Sequence, residues 1–196
     1  MRFVWDLSFV ILDFKVCCLG QEDNLRQSEI CELHMGAPLD TLDLHMHLKI
    51  PSRHGTYALV LSSTIDRPVV IGKLGTLKVK SGFYVYVGSA FGPGGLLARI
   101  RHHRNNTGCP HWHMDYLGKY LRLDEIVFTC DAAHREHQWA RILSKARGSM
   151  VPLAGFGSSD CRCKSHLYYF ISRPSSVNFR RKIYSSLDNH DRIYII

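Results

Sequence analysis

Residues Gly82–Ile100 read GFYVYVGSAFGPGGLLARI. The run opens as a strand: aromatic and β-branched residues fill FYVYV, and alternation places Tyr84, Tyr86 and Gly88 on one face and Phe83, Val85 and Val87 on the other. It then passes through the glycine-rich SAFGPGG into LLARIRHH, where Leu96, Leu97 and Ile100 recur at helical spacing and Arg99, Arg101, His103 and Arg104 supply a cationic side. Two phenols on one strand face admit a bland reading, as core rings with satisfied hydroxyls. The loop and helix that follow add a second one: glycines permit close backbone approach, a helix start offers N–H groups to an anion, and Arg99 supplies a permanently charged fork.

Outward from this stretch, GTYALVLSS, RPVVIG and GTLKVKSG read as short strands that form, with FYVYV, a small antiparallel β unit. HWHMDYLGKYL predicts a second helix, LDEIVFTC a further strand, AAHREHQWARILSKA a third helix with Trp139, Ile142 and Leu143 inward, and LYYFI a last core strand. The fold class is therefore α+β, a small central antiparallel sheet flanked by short helices. Its expected span is 52–172, after a poorly patterned acidic extension over 1–51 and before a basic tail over 173–196 that contains Arg180, Arg181 and Lys182.

The net charge of +8 is uneven: residues 1–50 hold 4 Lys/Arg against 8 Asp/Glu, which leaves 21 basic and 9 acidic residues of the total 25 and 17 in the body. Such a body suits nucleic acid as well as it suits a generally cationic surface. Seven scattered cysteines, an odd number, fit a reducing, cytoplasmic compartment. The apolar run FVWDLSFVIL is too short and too charged to span a membrane, and no membrane partner is expected.

The residues resemble the GIY-YIG nuclease superfamily. GTY at Gly55–Tyr57 is similar to its first signature, YVG at Tyr86–Gly88 to its second, and LLARIRHH to its Leu-x-x-Arg-x-x-x-His helix, which puts Arg99 and His103 on the matching positions. Glu136, in REHQWARIL, matches the family's metal-binding glutamate. YVYVGSA, HWHMDYL and GFGSSDCRCKSHLYYF look like the marks of a divergent branch found alone or fused to endonuclease III-type repair proteins, and the likeness runs over about 55–170. The resemblance implies metal-dependent hydrolysis of DNA phosphodiesters, with a role in repair and an endonuclease III-type protein as a candidate partner. One magnesium or manganese ion would sit on Glu136; Tyr57 would activate the attacking water with help from Tyr86; Arg99 would stabilise charge on the phosphate. Gly88, Ser89, Arg101, Arg104, His111 and His113 are the expected nucleic-acid contacts.

Thr56 and Val87 stand where the family has isoleucines, and Tyr57 and Tyr86 lie 29 positions apart, wider than the family's hairpin. RPVVIGKLGTLKVK reads as an inserted strand pair that accounts for the distance, so contact between the two tyrosines rests on the resemblance. His111, His113 and Asp115 are read as structural or DNA-contacting rather than metal-binding. Cys161, Cys163 and His166 offer soft donors suited to zinc, but Cys-x-Cys is tighter than the usual structural spacing and no fourth ligand is apparent, so zinc stays the weaker alternative. Ser158, Ser159 and Asp160 read as a turn, while the resemblance suggests a role for them beside the active site, and His134 and His137 flank Glu136 as surface or supporting residues. Two rivals to the nuclease remain: a nucleic-acid-binding module without catalysis, and a zinc-stabilised interaction domain.

Overall fold

The computed structural model describes residues 49–105 and 110–196. The acidic extension expected over 1–51 therefore lies, up to residue 48, outside the described residues.

The elements follow in the order β1 (Thr56–Ser63), β2 (Arg67–Ile71), β3 (Gly75–Val79), β4 (Gly82–Ser89), α1 (Gly95–Asn105), α2 (His113–Gly118), β5 (Arg122–Thr129), α3 (Glu136–Ser144), β6 (Leu167–Phe170), α4 (Ser176–Ser186) and β7 (Ile193–Ile195). Five strands form one antiparallel sheet in the order β6-β4-β1-β5-β7. β1 is central and buried on both sides, which explains why YALVL reads as an unbroken apolar run.

Alternation along β1 and β4 divides the core in two. Tyr57, Leu59, Leu61, Tyr84 and Tyr86 face one side, where they pack with Leu96, Leu97 and Ile100 of α1 and Met114 and Leu117 of α2. Ala58, Val60, Val85 and Val87 face the other, under Trp139, Ala140 and Leu143 of α3 and Ile183 of α4. The α+β class is thus observed, with helices on both faces of the sheet.

The four strands expected as one β unit divide between two sheets. β2 and β3 form a separate two-stranded ribbon, whose Val69, Ile71, Leu77 and Val79 cover the tyrosine-bearing side of the core while the intervening Val70 stays exposed. The insertion therefore leaves β1 and β4 free to pair directly, with Tyr57 opposite Gly88 and Leu59 opposite Tyr86.

Residues 173–196, expected as a basic tail, instead complete the domain. Ser175 caps α4 by accepting from the Asn178 amide at 3.2 Å, and Phe179, Ile183 and Leu187 recur every four residues on the face that meets the second core. β7 then closes the β5 edge, with Val127 opposite Ile195. The clustered Arg180, Arg181 and Lys182 occupy the outward side of that same helix and masked its apolar stripe. LYYFI, expected as a core strand, is the sheet's other edge, yet all four residues of β6 are buried, and Met150 makes a bridge to Tyr169. Among the described residues no helix is long and apolar enough to cross a membrane.

Candidate functional site

The tyrosine-bearing side of β1 and β4 opens at one end into a cleft of about 330 Å³. Tyr57, Tyr86, Ser89, Arg99, His103, His111, Trp112, His113, Glu136, Gly157, Ser159 and Asp160 line it. Residues from β1, β4, α1, α2, α3 and the 155–166 loop meet there. All five residues expected to carry chemistry are among them.

A side-chain contact of β1 brings its tyrosine and the glutamate of α3 together. Tyr57 follows Thr56, whose hydroxyl accepts the Arg135 backbone N–H at 3.2 Å, so the start of α3 is held against the start of β1. Glu136 is the first residue of that helix. Across the strand pair, a Cβ at Gly88 would overlap the Tyr57 phenol. Gly88 therefore makes room for the tyrosine ring, a different role from the nucleic-acid contact expected of it.

At the cleft floor the Tyr57 hydroxyl lies 2.7 Å from His103 Nε2. The two rings and that of Tyr86 are mutual neighbours, with Tyr57 and Tyr86 centroids 6.4 Å apart and Tyr86 and His103 centroids 5.7 Å apart. Burial pushes both phenols above their ordinary range; Tyr86 adds to the rise of Tyr57, the Glu136 carboxylate adds to both, and Arg99 opposes it. Burial lowers His103 to about 4, with His102 and Arg99 contributing and Asp115 opposing. His103 is therefore neutral at pH 7, and the Tyr57 hydroxyl is a proton donor beside an imidazole nitrogen able to accept.

Arg99 is held by Trp112, its guanidinium carbon 4.0 Å from the ring centroid. Trp112 in turn precedes α2, where Asp115 accepts from the His111 and Trp112 amides at 2.9 Å each and pairs with His102 at 3.0 Å. Burial raises the Asp115 carboxyl, but these hydrogen bonds outweigh it and hold the group below the usual carboxylate range. In HWHMD, then, the aspartate caps a helix, and His113 Nδ1 accepts the Gly157 amide at 3.0 Å, which ties the 155–166 loop to α2. Gly157 has φ +68°, and a Cβ there would stand 3.0 Å from Tyr86.

Residues 56–189 match the model of the family described as "Domain of unknown function DUF123". The chain belongs to the DUF123 family. The match continues through α4, in agreement with the packing of that helix. No curated protein and no solved structure matches the chain.

In this DUF123 domain the glycine-rich SAFGPGG loop closes on the protein itself, contrary to its reading as an anion cradle. Leu96 N–H donates to the Arg53 carbonyl at 2.9 Å, Ala90 N–H to the Gly55 carbonyl at 2.8 Å, and a Cβ at Gly95 would collide with the Arg53 backbone. Three amide donors near the α1 start, those of Gly95, Leu96 and Ala98, are thus used internally. Arg101 and Arg104 are half-buried and lie outside the cleft lining. His134 stacks on Phe91, with centroids 3.6 Å apart, and is likewise outside the lining.

Trp112, Gly157, Ser159 and Asp160 are the lining residues not expected among the site residues. The tryptophan carried a signal, an aromatic beside the arginine-bearing helix; the other three belong to the glycine-rich loop, where Ser159 and Asp160 read first as a turn. Ser89, Ser159, Glu136 and Asp160 give the cleft an oxygen-donor set of the kind that holds a hard divalent cation with several waters. Behind the cleft, His166 Nδ1 approaches Glu136 Oε1 to 2.8 Å without the alignment of a hydrogen bond.

Proposed function

We propose that this DUF123 domain is a metal-dependent DNA endonuclease of GIY-YIG type that hydrolyses phosphodiester bonds, with a role in repair. The observation that carries the reading is the convergence of Tyr57, Tyr86, Arg99, His103 and Glu136 on one cleft from four separate elements. Tyrosines on one face of paired strands, an arginine and a histidine one helical turn apart, and a carboxylate at the start of a later helix are the parts such a reaction uses.

The chemistry follows from the geometry. The Tyr57 hydroxyl, hydrogen-bonded to neutral His103 across 2.7 Å, orients the attacking water; His103, which binds a proton only near pH 4, holds the phenol in place and is not its base. Its raised affinity for protons makes Tyr57 a strong base once ionised, and makes ionisation dependent on the positive charge of Arg99 nearby. Arg99, stacked on Trp112, presents a fixed fork to the phosphate as negative charge develops on it. A magnesium or manganese ion held by Glu136, with Asp160 and water completing its surroundings, would supply Lewis acidity at the phosphate and acidify water. Tyr86 packs against His103 and limits the water that reaches the pair.

The test is incubation of the purified protein with labelled duplex, nicked, flapped and branched DNA in magnesium, manganese or chelator, beside Glu136→Ala and Arg99→Ala. Metal-dependent cleavage lost in both variants is the expected result; electrostatic stabilisation of this kind contributes about 10²–10³ in rate. Full cleavage by Glu136→Ala would overturn the assignment. Binding that weakens steeply with salt and never yields a cut strand would leave a DNA-binding module in place of an enzyme.

A further inference from the structure

The missing fourth donor for Cys161, Cys163 and His166 is supplied by α3. His137, Cys161, Cys163 and His166 each offer one ligand atom, and these atoms all lie within 4.8 Å of one another. Cys161 Sγ is 3.5 Å from His166 Nε2, and Cys163 Sγ is 3.6 Å from His137 Nδ1. In a tetrahedral zinc site with bonds of about 2.3 Å to sulfur and about 2.0–2.1 Å to nitrogen, the sulfur-to-nitrogen edge is about 3.5 Å. Both thiol–imidazole distances therefore have the length that a shared zinc ion imposes.

We infer that His137, Cys161, Cys163 and His166 form a zinc site of Cys₂His₂ type, separate from the cleft. The four donors come from two segments, the first turn of α3 and the 158–166 loop, so a single ion would pin one to the other. Linking segments remote in sequence is what structural zinc does, and a closed set of four protein ligands leaves no open position for a reacting group. The sequence conceals this site because the fourth ligand lies 24 positions before Cys161, where it reads as a surface or supporting residue beside Glu136.

The surroundings of His166 carry the inference further. Its side chain is 1% exposed, and its Nδ1 lies 2.8 Å from Glu136 Oε1, close but off the alignment of a hydrogen bond, with no other partner. A buried imidazole with one nitrogen toward a thiol pair and the other toward a carboxylate has the arrangement of a metal-bound histidine backed by an orienting carboxylate. Zinc here would fix the Nδ1–H tautomer and the ring orientation, and the ring would brace Glu136 from behind. Neither His137, Cys161, Cys163 nor His166 lines the cleft, so the ion positions the glutamate without touching a substrate there.

The test needs no DNA and is independent of the nuclease reading. Full-length protein, purified without chelator, is assayed for metal by elemental mass spectrometry, then stripped and titrated with cobalt(II). One zinc per chain is expected, and cobalt should give the strong d–d bands of tetrahedral coordination together with a thiolate charge-transfer band. His137→Ala, an exposed position on α3, should fold and lose stoichiometric zinc, and Glu136→Gln should weaken zinc about 10–100-fold in competition with a chromophoric chelator. Metal-free protein whose cobalt spectrum is weak and octahedral would overturn the site. So would zinc that survives both Cys163→Ser and His137→Ala, because the ion would then be held elsewhere.

Discussion

A neutral histidine buried beside a phenol is a liability at acid pH. His103 takes up its proton near pH 4 in the folded protein, against about 6.5 for an exposed histidine, because burial disfavours the cation. Arg99 and His102 also repel that proton, while Asp115, with Oδ1 4.0 Å from Nδ1, attracts it without overcoming burial. Above about pH 6.5 folded and unfolded chains both hold the group neutral, and it contributes nothing to the pH dependence. As pH falls from 6.5 toward 4 the unfolded chain binds a proton that the fold refuses, so stability is lost across that window, by about 3 kcal/mol from this residue. Urea unfolding between pH 7.5 and 4.5 should show the loss, and His103→Gln should flatten it. An unchanged slope in the variant would mean that other groups set the acid limb. Sequence placed this histidine on the right helix but on its cationic side; the burial that keeps it neutral comes from Tyr57, Tyr86 and Trp112, contacts between elements that no local pattern announces.

At the scale of elements, the site depends on where helices begin. The start of α3 is fixed by the bond from Arg135 N–H to Thr56 Oγ1, which joins two segments 79 residues apart. Thr56→Val keeps the shape and removes the acceptor, so it should cost about 1–2 kcal/mol in chemical denaturation, the usual penalty for a donor left unpaired. Thr56→Ser should restore most of it. If the proposed reaction is present, cleavage should fall in the valine variant with little change in DNA binding, since Glu136 moves with the helix. Here a threonine, where the nuclease superfamily that the sequence resembles has isoleucine, acquires a purpose. Strands β1 to β6 and the α1 helix were legible because alternation and helical spacing are local. The pairing of β1 with β4 across an inserted ribbon, the closure of SAFGPGG on Arg53, and the approach of His137 to Cys163 were not legible, because each is decided by a partner distant in the chain.

For the whole molecule, the decisive question is where the domain ends. The charge cluster at Arg180–Lys182 made residues 173–196 read as a solvated tail, yet Ile183 and Ile193 have 0% and 2% of their surface exposed. Ile183 lies in the second core with Trp139 and Leu143, and β7 covers the open edge of β5. Burying two such side chains is worth about 3–6 kcal/mol, a large part of the roughly 5–15 kcal/mol that separates a folded domain from its unfolded chain. Deletion of 173–196 should therefore abolish or severely weaken cooperative unfolding and expose apolar surface to a hydrophobic dye, although every residue lining the cleft would still be present. A truncated chain that unfolds at the same urea midpoint as the full one would show the segment to be an appendage. Loss of the transition would mean that the cleft on one face of the sheet is maintained by packing on the other: α3 carries Glu136 into the cleft at its first turn while its Trp139 and Leu143 stand on the core that α4 closes.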